Sequence, residues 1–599
     1  MSTSHPGEEY EILCRGSGGP GGRDLIRNTT SISLFTNIQR VFRQGVRNVF
    51  HALGFWEKTL IVGLSFVAIG VFLYWVSALY VANTREVPEY GGRYREGIAG
   101  QPRYINPILS QTSDADADLV KLVFSGLFTH DNEGRLKPEV AESSEVSEDG
   151  KTYTIKLRQG VLFHDGTEVT ADDVVFTIQA IQNPANKSPL RQNWQTVDVR
   201  ATDRYAVVFE LRKPYFGFLE NLTVGILPKH LWSEISPDRF LLADYNLVPI
   251  GCGPYRYVDV TKDSNGDILE YELRAFEKFF EGAPYISQFV LRFYPDEETL
   301  IDGYLRKEVS GMQGISAEGT FRLGERKSTV IREIRIPRSF AVFFNQTESI
   351  PLAFDEVREA LNRGTDRQAI IRDLLGGRGT EALGPFLPFM DEYASDLAWP
   401  VYDRDGANRL LDEKGWNRNA EGIREKNGVL LRIDLVVPDW PELTKTAELL
   451  KTQWQSFGVG LDIIVMSPGD LQRNVVQTRG YQALLYGEQP MLDQDPYSFW
   501  HSSQKRESGL NLALFDNTGA DEALVAARET LDDGERRSLY HDFQATYLAE
   551  MPALFLFSPS YLSVTDGSVG GMNIERMNAS SDRFSDVSRW YVKTRRVWE

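Results

Sequence analysis

The 599-residue chain has only two cysteines, Cys14 and Cys252, too few for a disulfide-stapled scaffold. It has no basic excess either: the formal net charge is -19. That balance excludes the cationic face that nucleic acid or an anionic membrane surface requires of a folded domain. Its histidines (5, 51, 130, 164, 230, 501 and 541) include no pair four residues apart, so the helical zinc-protease pattern is missing. Neither the G-x-S-x-G elbow nor the phosphate-cradling G-x-x-x-x-G-K-[ST] loop occurs. Ser502-Ser503-Gln504-Lys505 matches S-x-x-K in form but stands without the companion motifs of such acylases. His164-Asp165 is followed by Gly166, and the Asp-Gly dipeptide reads as a turn rather than a catalytic pair. The residues therefore predict no enzyme, no metal site and no cofactor.

One long uncharged run is present, Thr59 to Ala82, TLIVGLSFVAIGVFLYWVSALYVA. As a helix it spans roughly 36 Å at about 1.5 Å per residue, against a hydrocarbon core of about 30 Å. Tyr74, Trp75 and Tyr80 sit towards its far end, where amphipathic rings favour the interface. Arg40, Arg43, Arg47 and Lys58 precede the run, whereas Arg85 is followed at once by Glu86. This asymmetry predicts a single-pass protein of the cell membrane with residues 1–58 in the cytoplasm and everything after about residue 83 outside. The run also separates Cys14 from Cys252, which argues against an intrachain disulfide. Val76-Ser77-Ala78 offers a small-residue peptidase site, but the long leader and long apolar run favour an uncleaved anchor. Residues 32–56 read either as an amphipathic helix on the inner leaflet or as a plain linker. The stretch up to Arg23 carries the composition of a disordered tail.

Beyond residue 83 strands and helices mix. Tyr153–Leu157 and Tyr205–Leu211 alternate as half-buried strands do. Asn265-Gly266 lies between two alternating runs and marks a hairpin. Thr170-Ala171-Asp172-Asp173 opens a helix with acid at its start. Asp355 opens DEVREALNRGTDRQAIIRDLLGG, whose apolar positions fall three and four apart up to Gly376-Gly377. ERRSLYHDFQATYLAE is a further helix, and Ala553–Phe557 a strand after it. The mixture indicates α/β lobes. The 33 Phe, 25 Tyr and 11 Trp fit either core filling or the lining of a pocket.

Four blocks resemble the bacterial extracellular solute-binding proteins of family 5, the oligopeptide, dipeptide and nickel type. They are Ala141–Ile181 with its F-H-D-G-T turn, Ile250–Tyr255 (IGCGPY, with Cys252 where threonine is usual), Phe343–Arg367 (F-F-N, V-R-E-A-L, T-D-R), and Asp493–Trp500 (DQDPYSFW). The likeness runs in order over roughly residues 90–590. It implies an α/β, two-lobe periplasmic-binding-protein-like fold (class II, cluster C) with an extra subdomain. The expected partition is a tail over 1–58, an anchor over 59–82, lobe I over 83–340 with the subdomain at about 131–249, lobe II over 341–555, and a return to lobe I over 556–599. The lobe crossings would fall near Phe340–Asn345 and Ala553–Ser558.

The same resemblance implies the substrate-binding component of an ABC importer, which captures peptides or peptide-like polar solutes by hinge closure and delivers them to permease and ATPase subunits. A membrane-anchored sensory receptor of the same fold is the alternative, motivated by the long cytoplasmic tail. The family's amine-binding aspartate falls here on Leu492, with Asp493 next to it and Glu488 nearby. Candidate ligand contacts are Gln101, Tyr104 and Asn106 on the opening loop, facing Tyr486, Glu488, Asp493 and Tyr497. Asp495 is expected to be a structural cap.

Overall fold

A computed structural model describes residues 54–324, 328–490, 495–506 and 509–598. The expectations for the cytoplasmic tail before residue 54, for the segment 32–53, for Cys14 and for Asp493 lie outside these residues. The chain divides into two compact units, residues 1–87 with 596–599, and residues 88–595.

In the first unit Phe55–Ala82 is one helix of 28 residues, none of them buried. Among the described residues it is the one helix long and apolar enough to cross a membrane. The strand Thr84–Pro88 follows it and pairs with Thr594–Trp598.

The second unit is built on three larger sheets. Seven strands form the first, in the spatial order 330–334, 561–565, 311–313, 93–99, 288–294, 268–275, 255–262. Six strands form the second, in the order 379–381, 553–559, 339–344, 483–488, 432–438, 460–466. A four-stranded antiparallel sheet (141–146, 152–157, 206–211, 197–203) belongs to the intervening subdomain. The chain passes between the first and second sheets twice, over 335–338 and at residue 560. Strands Ser339–Phe344 and Ala553–Pro559 then pair side by side in the second sheet.

The second sheet is buried on both faces. Val342, Phe344, Leu435 and Leu485 pack on one side against Leu361, Ile370 and Trp454, from the helices Asp355–Gly364, Arg367–Leu375 and Pro441–Ser456. Ala341, Phe343, Leu484 and Phe555 pack on the other against Leu524, Phe543 and Tyr547, from Thr518–Glu529 and Asp533–Glu550. Near-continuous apolar strands such as SFAVFF and ALFLF are what such a doubly covered sheet requires. The subdomain has no core of its own: Tyr153, Ile155, Trp194 and Phe209 belong to one apolar cluster with Tyr94, Phe289 and Trp590 of the first lobe.

Two distant motifs interlock where subdomain meets first lobe. Gly166 takes φ +91 in the F-H-D-G-T turn, a conformation that suits glycine. The His164 ring faces Gly253 O at 3.0 Å and accepts from Gly251 N at 3.3 Å, and His164 N donates to Gly251 O at 2.8 Å. Burial of the ring lowers its pKa to about 4, so it holds this lock as the neutral imidazole. Gly251 and Gly253 are required by close approach: a Cβ on Gly251 would lie 2.2 Å from Val123 O. Asp165 turns instead to His230, at 2.7 Å, so the paper pair His164-Asp165 is not a dyad.

The long helical pattern from Asp355 is two helices. Asp355–Gly364 stops at Thr365, and Asp366 caps Arg367–Leu375 by accepting from Ala369 N at 2.8 Å. Gly364 permits the break, since a Cβ there would meet the Phe457 ring at 2.6 Å. The Asn265-Gly266 hairpin joins Tyr255–Lys262 to Ile268–Ala275, with Asp263 accepting from the amides of Asn265 and Asp267.

Candidate functional site

The opening loop of the first lobe leaves the strand Arg93–Ala99 at Gly100, which takes φ +111. Gln101 spends its amide on a strand edge: Oε1 accepts from Ile268 N at 3.0 Å and Nε2 donates to Ile268 O at 3.1 Å. Asn106 is fully buried; it donates to Asn246 Oδ1 at 3.0 Å and accepts from Ile108 N at 3.1 Å. Tyr104 is half-buried between them, its backbone N–H held by Asp116 at 3.0 Å. The loop is thus pinned at Gln101 and Asn106, and the half-buried Tyr104 packs against the apolar cluster of the first lobe.

On the second lobe Tyr486 and Glu488 share one face of the strand Ala483–Glu488, opposite Ala341 and Ser339 of the crossing strand. Tyr486 stacks on Trp440, with ring centroids 6.1 Å apart. Glu488 is buried, and its Oε1 has no hydrogen-bond partner among the described residues. Burial pushes this carboxyl well above the usual range. The next residue reaches the other lobe: Gln489 Nε2 donates to Asn578 O at 3.4 Å, while its Oε1 accepts from Arg338 Nε at 3.1 Å. Glu488 therefore stands at the boundary between the lobes.

Tyr497 begins the short helix Tyr497–Trp500, with Asp495 accepting from its N–H at 3.1 Å. Its ring stacks on His501 at 4.2 Å. The Arg528 guanidinium lies 4.6 Å over the same ring and 5.0 Å over that of Tyr215, from the subdomain. Arg528 also pairs with Asp495 at 3.0 Å. Arg536 covers Phe216 at 4.3 Å, and Lys213 pairs with Glu529 at 3.1 Å. Arg528 and Arg536 of the second lobe thereby grip rings of the subdomain, and Lys213 of the subdomain pairs in return with Glu529 of the second lobe. Sequence reasoning missed Arg528, Tyr215, Gln489 and Trp440. Arg528 lies in the last turn of Thr518–Glu529, where a basic residue is ordinary, and no local signal pointed to it or to Tyr215.

The S-x-x-K residues are separated by their partners. Ser502 binds Asp521 through side chain and amide, whereas Lys505 pairs with Asp516. Among the described residues no group of three or more His, Cys, Asp and Glu is placed to hold a metal ion.

Two lobes linked by two short crossings, with an added subdomain, match a known architecture, and the family model for bacterial extracellular solute-binding proteins, family 5 (middle region), matches residues 135–509. The chain belongs to this family. The family 5 chain is 26% identical over 483 residues to the oligopeptide-binding protein AppA of Bacillus subtilis, covering 79% of this chain and 87% of that protein. It is 26% identical over 486 residues to the dipeptide-binding protein of Escherichia coli, covering 76% and 87%. The crystal structure of NikZ from Campylobacter jejuni with Ni(L-His) superposes with a TM-score of 0.68 at 26% identity, over 83% of this chain and 99% of NikZ. This family 5 protein has the role of the substrate-binding component of an ABC importer, with its binding domain outside the cytoplasm. The relatives are binding proteins rather than enzymes, and none favours the sensory alternative.

Proposed function

We propose that this chain captures oligopeptide-like or similarly sized polar solutes between its two lobes and passes them to an ABC permease with its ATPase, acting by binding alone. The observation that carries the reading is Glu488, a buried acid at the lobe boundary whose Oε1 has no hydrogen-bond partner among the described residues. Leaving such a group unsatisfied costs about 1–3 kcal/mol, which a donor on the solute would return. Peptide N–H groups and amines are donors of this kind, and the names of the AppA and dipeptide-binding relatives agree with that chemistry.

In this reading Tyr486, Glu488, Asp493 and Tyr497 face the solute from the second lobe. Gln101, Tyr104 and Asn106 complete the site from the first lobe, the two amides by setting the loop and Tyr104 by contact. Because the crossings are short, the lobes swing as bodies, and only a solute touching both stabilises closure. The helix Phe55–Ala82 acts as an uncleaved single-pass anchor with its N-terminal side in the cytoplasm.

The test is to purify the full chain in detergent, identify the bound solute by mass spectrometry, and titrate that solute class into variants. Peptide-like polar masses are expected. Glu488→Met, which keeps volume and removes the acceptor, and Asp493→Ala should each weaken binding about tenfold, or about 1.4 kcal/mol. A solute with no polar donor, or unchanged affinity in both variants, overturns the proposal.

A further inference from the structure

The outer end of the apolar helix is finished by residues from far along the chain. An α-helix ends with four carbonyls that lack intrahelical partners, and near a bilayer little water is at hand to satisfy them. Here Leu79 O accepts from the backbone N–H of Asn83 at 3.0 Å and from its side-chain amide at 2.7 Å. Tyr80 O accepts from the Thr84 hydroxyl. Val81 O accepts from Arg596 at 3.3 Å, and the same guanidinium reaches Thr84 O at 3.2 Å and Thr84 Oγ1 at 3.0 Å. Arg596 is also paired with Glu86 at 3.3 Å. A cation at this position complements the negative end of the helix dipole as well as closing its hydrogen bonds.

Beside this cap stands a large, mostly exposed ring. Trp598 is 68% exposed, and its one ring contact among the described residues is the edge of Tyr80, with centroids 5.6 Å apart. In water an indole so placed stabilises little. At a membrane boundary it is favoured, because its apolar body and polar N–H match the two sides. Tyr80 lies three residues from the end of the helix, where a run of roughly 36 Å has already passed a core of about 30 Å. Arg85, exposed on the strand Thr84–Pro88, supplies a cation at the same level.

We propose that the ribbon formed by Thr84–Pro88 and Thr594–Trp598 is a membrane-surface clasp, with Arg596 capping the anchor helix and Tyr80, Trp598 and Arg85 seated among phospholipid headgroups. This inference rests on the helix being a retained anchor.

The full chain is reconstituted in vesicles of phosphatidylethanolamine and phosphatidylglycerol. A nitroxide is placed at Trp598→Cys in a Cys14→Ser background, with Leu242→Cys as a reference, since Leu242 is 82% exposed in the subdomain. Collision with lipid-soluble oxygen relative to a water-soluble nickel chelate is expected to be several-fold higher at 598 than at 242, and the intact mass is expected to include the helix. An intact mass with equal accessibility at the two labels overturns the clasp and leaves the anchor standing. A mass lacking residues up to the Val76-Ser77-Ala78 site overturns the anchor itself. Arg596→Ala should in addition speed amide exchange over residues 84–88 several-fold; unchanged exchange removes Arg596 from the cap.

Discussion

At the scale of single residues, two histidines with opposite shifts bind the subdomain to the first lobe. The His130 ring is buried between Glu220, at 2.9 Å, and Asp582, at 3.2 Å, with Lys121 beside Asp582 at 3.6 Å. Burial alone would lower its pKa, but the two carboxylates outweigh it and raise the value to about 9. A raised histidine contributes stability that is complete below its unfolded value of about 6.5 and is lost as pH climbs through about 9. The swing is on the order of 3 kcal/mol. His164, lowered to about 4, works the other way and costs stability as pH falls from about 6.5 towards 4. Denaturant titrations should therefore show that His130→Gln flattens the loss of stability between about pH 6.5 and 9 relative to the unaltered chain. Arg583 is a second buried tie, holding Glu96 at 2.8 Å and Asp118 at 2.6 Å. Arg583→Met strands both acids, and a loss of about 3–5 kcal/mol is expected in the same assay.

At the scale of elements, the blocks that carried the resemblance are scaffold ties. Arg358 of V-R-E-A-L donates to Glu550 O and Leu352 O, and Arg367 of T-D-R donates to Phe555 O. Trp500, which ends DQDPYSFW, is buried among Phe343, Phe515, Phe543, Tyr547 and Phe555. Such groups must stand at fixed offsets, so spacing alone exposed them. Gly251→Ala should cost about 1–3 kcal/mol by driving a Cβ into Val123 O, read as a lower midpoint in urea. The break at Thr365 was not legible, because Asp366 serves as a cap only once Gly364 closes on Phe457. The site was least legible of all. Gln489 gains meaning from Asn578 and Arg528 from Tyr215, and no local pattern announces a partner on another lobe.

At the scale of the whole binding domain, the contacts across the lobes include the cation–π pairs of Arg528 and Arg536 and the hydrogen bond from Gln489 to Asn578. Arg528→Ala removes both ring contacts and the Asp495 pair, each worth about 0.5–2 kcal/mol when partly desolvated. Spin-label distances between the two lobes should then broaden in the absence of solute and narrow again at saturation. An unchanged distribution would deny Arg528 a part in closure. The α/β character was readable from alternating strands and capped helices, which reflect local backbone chemistry, whereas the two-lobe arrangement followed from the resemblance carried by the ordered blocks. Residues 88–93 and 566–595 both lead into or out of the first sheet, whereas the second sheet is entered and left only through 335–338 and 560. The segments continuous with Thr84–Pro88 and Thr594–Trp598 thus both belong to one jaw, and the other jaw is joined to the rest of the chain by those two short crossings alone.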